Sequence, residues 1–154
     1  MPNTELMHDL SSAEDALKRS IGALIEASDR YCATFPQNVK DGLPSYADEK
    51  SNASAAYYMY ATALSYVLTS VEKILASLSP LFQQATDAHL SEISERCAEL
   101  IGAYEQFSTE ALSPYFEESQ RILHSGDTIA LSPLYQATKT LSKQSEEFLN
   151  RIFS

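Results

Sequence analysis

From Ser51 to Val71 the chain runs for 21 residues without a charged side chain. Few folds can use such a segment. Its length would suit a membrane span, but seven of its residues are Ser, Thr or Asn and the apolar ones form no continuous block, which does not suit hydrocarbon. A soluble helix with no charged face must lie at the centre of a bundle or be covered by a partner. Ala53, Tyr57, Tyr60, Leu64, Val67, Val71, Ile74 and Leu78 recur at steps of four and three, a heptad-like seam made for packing against neighbouring helices. Ser45-Tyr46-Ala47-Asp48 has capping-box spacing, so a second helix is expected from Ser45 to Leu78.

The flanking sequence reads the same way. Leu6, Leu10, Leu17, Ile21, Leu24, Ser28, Tyr31 and Phe35 keep one face largely apolar, predicting a first helix that Pro36 must end. Its start is expected at the capping box Ser11-Ser12-Ala13-Glu14, or earlier, with Asn3 or Thr4 as cap. Pro36 to Pro44 reads as a loop. Three segments then share Leu-Ser-Pro, a hydrophobe and an aromatic: Leu78 to Phe82, Leu112 to Phe116 and Leu131 to Tyr135. With Ser as cap and Pro at the first helical position, each reads as a helix start; unequal spacing argues against a solenoid. A third helix is therefore expected from Pro80 to Leu112, restarted or kinked at Pro114, ending at His124 with Gly126 as its left-handed cap. A fourth begins at Pro133. The chain is thus expected to be all-α, an antiparallel four-helix bundle with long helices, the third kinked or broken near Pro114. One domain over residues 1–154 accommodates it, with residues 1–10 the end most prone to fraying.

Eleven Lys and Arg against 21 Asp and Glu give a net charge of −10. That sign opposes phosphate neutralisation and adsorption to an anionic bilayer, so neither nucleic acid nor a membrane is an expected partner. Residues 81–132 carry nine acids against Arg96 and Arg121, making the third helix the acidic face. Met1 to Leu10 has neither a basic start nor an apolar segment, which points to a cytoplasmic location. Cys32 and Cys97 fit reduced core thiols better than a disulfide framework.

Motifs with chemical potential are sparse. Glu5 and His8 have the Glu-x-x-His spacing of carboxylate-bridged di-iron bundles, yet neither His89 nor His124 follows a Glu by three positions. Ala88-His89-Leu90, in a small acidic helical chain, resembles histidine phosphotransfer domains over those three residues. Such a domain needs a cation and small residues after its histidine, whereas Glu92 here would repel a phosphoryl group. The acid pairs Glu92 with Glu95 and Glu117 with Glu118 read as a solvated face. The four glycines form no phosphate loop. No catalytic, cofactor-binding or metal-ligating residue is expected, and the chain reads as a non-enzyme.

What remains is surface. Tyr58, Met59, Thr62 and Tyr66 lie off the seam of the second helix, and Phe148, Leu149, Ile152 and Phe153 crowd two apolar pairs onto the end of the fourth. Such residues are favoured at interfaces. The expected function is a small adaptor, scaffold or complex subunit that uses these two regions to bind another protein or a second copy of itself. The alternative is a signalling or small-ligand bundle of the histidine phosphotransfer kind.

Overall fold

A computed structural model describes residues 2–43, 50–126 and 128–153. The chain is all-helical, with no strand among the described residues. The helices are α1 (Pro2–Ala33), the single turn α2 (Gln37–Lys40), α3 (Lys50–Asp87), α4 (Ser91–Phe107), α5 (Ser113–Leu123) and α6 (Leu131–Phe153). A π-helical turn, Ser108–Leu112, joins α4 to α5. Helix α1 packs on α3 and α6, α4 on α3, and α5 on α6.

The periodic stripes place the core. Leu17, Ile21, Leu24, Leu64, Val71 and Leu78 are fully buried, and meet Cys97, Leu100, Leu134 and Leu141. Each such leucine removed from water contributes about 2 kcal/mol. Helix α1 begins well before Ser11, so the Ser11–Glu14 segment lies inside it and Glu14 serves instead as the partner of Arg96. The cap expected at Ser45 lies outside the described residues. The segment after Pro36 is more than a loop: α2 drops Val39 into the core, and Gly42 follows at φ 87°, a left-handed turn that glycine adopts without strain.

The Leu-Ser-Pro segments divide into three cases. Pro80 does not begin a helix, because α3 continues through it to Asp87. The break falls at residues 88–90, where His89 takes φ 59°. At Pro114 the helix widens: the Ser113 amide donates to the Ser108 carbonyl five residues back. A wider turn suits a residue that lacks an amide proton and whose ring would clash with the carbonyl four positions earlier. The second segment opens α5 directly beyond the π turn, with Pro114 in its first turn, and the third opens α6 from Leu131. Its Ser132 hydroxyl donates to the Leu43 carbonyl at 2.6 Å, pinning the end of the α2 segment to α6 in place of capping its own helix.

Candidate functional site

Helix α3 is uncharged from Ser51 to Val71, where Tyr60 packs against Tyr31 of α1 and Tyr115 of α5. Its core seam, Tyr57, Tyr60 and Leu64, is buried. The opposite face is not: Met59 is 77% exposed, Tyr66 74% and Tyr58 46%, with Thr62 exposed beside them. On this face Thr62, Ser65 and Ser70 donate their hydroxyls to the Tyr58, Ala61 and Tyr66 carbonyls. These three donors are thus satisfied within the helix, and the face stays uncharged with them paired.

Beside that face runs a groove between α1 and α3. Three hollows of about 410, 460 and 420 Å³ follow one another along it. The first two share Ala16 and Ile74, and the third opens one turn on, where Ala27 follows Ala23 and Ala63 precedes Tyr66. The α1 wall includes the small residues Ala13, Ala16, Ser20, Ala23, Ala27 and Thr34, and the α3 wall includes Ala56, Met59, Ala63, Tyr66, Ser70 and Ser77, with Arg19, Arg30 and Lys73 also lining it. Within each of the two sets the steps are three, four or seven, the spacing that faces a neighbouring helix. Each helix therefore carries two seams, one of large residues turned into the core and one of mostly small residues turned into the groove.

Met59 and Tyr66 line this groove, whereas Tyr58 and Thr62 are not among its lining residues; the Tyr58 ring rests edge-on against Tyr57 at 5.6 Å. The four residues proposed at the other end of the chain divide differently. Phe148 stacks on Phe107 at 4.9 Å and is 2% exposed, and Ile152 is buried with it, so neither offers a partner any surface in this conformation. Leu149 and Phe153 are half-buried against the core, and the Phe153 ring lies under the Arg96 guanidinium at 5.7 Å.

No protein-family model matches the chain, and comparison with curated proteins and with solved structures returns no match.

The other candidates carry less. His89 stands in the turn between α3 and α4, not midway along a helix. Glu5 and His8 are exposed on α1, and among the described residues no group of three His, Cys, Asp or Glu is placed to hold a metal ion. Cys97 is buried and Cys32 half-buried without a disulfide; burial, reinforced by Asp29, pushes the Cys32 thiol up to about 11, the opposite of an activated nucleophile. Among the described residues no helix is long and apolar enough to cross a membrane.

The α1 wall of the groove is absent from the expectations above. Its signal is present in the sequence: Ala13, Ala16, Ser20, Ala23 and Ala27 form a second heptad track beside the large stripe, easily read as filler because alanine is at home anywhere in a helix.

Proposed function

We propose that this chain is a non-enzymatic protein–protein interaction module, a small cytoplasmic adaptor, scaffold or complex subunit, whose contact surface is the α1–α3 groove and the adjoining face of α3. The observation that carries this reading is the row of hollows between α1 and α3 with Met59 and Tyr66 standing exposed along it. Large apolar side chains beside a small-residue trough are what a helix-in-groove contact requires.

The surface rests on an antiparallel four-helix bundle in which α4 and α5 form one third helix bent at the π turn near Pro114. Pairings that run in opposite directions support it. Tyr31 stacks on Tyr60 while Ala13 shares a hollow with Leu81. Arg96 bonds to the Ile152 carbonyl, Phe107 stacks on Phe148, and Tyr115 bonds to Thr138.

The test is a Met59→Lys, Tyr66→Lys double variant. Both positions are exposed, so the thermal midpoint should stay near that of the parent while self-association in sedimentation, or cross-linking from a photoreactive side chain at Tyr58, falls away. Loss of several kcal/mol of stability with association untouched would make these residues intramolecular core and remove the reading.

A further inference from the structure

The groove has a charge sign opposite to that of the chain. Overall the protein carries −10, yet the charged residues lining the two hollows nearest Met59 and Tyr66 are Arg19, Arg30 and Lys73. All three are exposed, and none makes an ion pair among the described residues, where Arg96 and Arg121 hold every salt bridge. Glu26 and Glu72 lie on the same helices but do not line the groove, and Asp9 is the one acid that does, at the far end beside Pro80 and Gln84. Arg19 and Lys73 face each other from opposite walls of the middle hollow. Arg30 stands eleven residues beyond Arg19 on α1, about 16 Å along the axis.

We infer that the groove receives an acidic amphipathic helix from another protein, with a large-residue apolar seam laid over the alanines and carboxylates on both flanks. This rests on the interaction reading above and names its partner class. Helix α1 from Ala13 to Thr34 offers a trough about 30 Å long, room for roughly twenty helical residues. Large side chains on the visitor complement the small ones on the walls. The flanks must carry acids on both sides at the level of Arg19 and Lys73, and another three turns away on the α1 side to meet Arg30. A second copy of this chain fits poorly, because a twofold contact through the groove would set the same three cations against their own images.

The experiment uses two synthetic helical peptides with the same leucine heptads, one flanked by Glu and one by Lys, titrated onto the full chain by fluorescence anisotropy. Net charge alone favours the Lys peptide, so the two explanations give opposite answers. The expected result is about tenfold tighter binding of the Glu peptide in about 50 mM salt, shrinking to less than about threefold near 500 mM. An Arg19→Glu, Arg30→Glu, Lys73→Glu triple variant, with all changes at exposed positions, should invert the preference. Equal binding, or a Lys preference, with both peptides lost in Met59→Lys would overturn the acidic partner and leave the interaction surface standing. Failure of both peptides to bind, or binding indifferent to Met59→Lys, would overturn the groove itself and the functional reading with it. A dimer in sedimentation that Met59→Lys dissociates would assign the groove to a second copy and overturn the inference.

Discussion

The hydroxyls of Ser28 and Tyr60 share a buried hydrogen bond of 2.8 Å between α1 and α3. Each answers the other: Ser28 is fully buried in a stripe of leucines, and Tyr60 reaches across from the uncharged stretch of α3 to meet it. Ser28→Ala leaves the Tyr60 hydroxyl without that partner and should cost about 1–2 kcal/mol in urea unfolding, more than the Ser28→Ala, Tyr60→Phe pair, in which neither polar group is left behind. Tyr57→Phe is the control. Its hydroxyl is buried beside Ser119 and Gln120 but makes no hydrogen bond among the described residues, so its removal should leave stability unchanged or raise it.

The tyrosines around this bond set the alkaline limit of the fold. Burial, with neighbouring tyrosines adding to it, pushes the Tyr31 and Tyr60 phenols well above their usual range. Burial raises Tyr115 from 10.0 to about 12, opposed by its hydrogen bond with Thr138. Where the unfolded chain has released these protons and the folded chain has not, the unfolded state binds fewer, so stability falls as pH rises. It should be intact below the ordinary tyrosine range and decline from about pH 10 upward, with tyrosinate absorbance and loss of helical circular dichroism moving together. Ionisation of these phenols in a chain that stays helical would contradict the packing.

The seams of α1, α3 and α6 could be read from spacing because large apolar residues at three–four steps have no other economical arrangement. Helix boundaries could not. Pro80 and Pro114 share Leu-Ser before them and a hydrophobe and Phe after them, yet the helix passes through one and widens at the other, since the surroundings decide whether a lost amide is tolerated. Phe148 and Ile152 looked surplus to a narrow stripe, but Phe107 and the other residues around them on facing helices fill that space. The groove demanded knowledge of which two helices lie side by side, which no single helix states. Met59 and Tyr66 were legible as off-seam residues; their trough was not.

Arg96 ties three helices at once. Its Nε donates to Glu14 at 3.0 Å, Nη1 to Glu99 at 3.0 Å and Nη2 to the Ile152 carbonyl at 2.8 Å. Arg96→Ala should cost about 2 kcal/mol in urea unfolding and speed amide exchange in the last turn of α6. Arg96→Lys should recover less than half, because an ammonium carries its three protons on a single nitrogen and cannot span partners that Arg96 meets from three separate ones. Full rescue by Lys would mean that only charge matters here.

His89 holds a left-handed conformation at φ 59° between α3 and α4. His89→Gly should therefore raise stability by about 0.5–1 kcal/mol, the relieved strain outweighing the extra freedom of the unfolded chain. Peptide capture by the groove should be unaffected. A sharp loss of capture, or acid-labile phosphate that disappears with this change, would return the histidine to a functional role.

The π turn at Ser108–Leu112 acts as a length marker in an otherwise uniform helix. It absorbs one residue more than α-helical winding would, and that wider winding keeps Tyr115, Ser119, Ile122 and Leu123 aimed at the core despite the surplus. Excising one exposed residue there, Thr109 for example, would restore ordinary winding and leave those four side chains facing α6, whereas excising one from the regular turns of α5 would rotate everything downstream of the cut by about 100°. A change of length at the π turn is taken up by the winding, while the same change a few residues further on alters the phase of all that follows, so the place of the surplus residue between Phe107 and Tyr115 carries structural information apart from its identity.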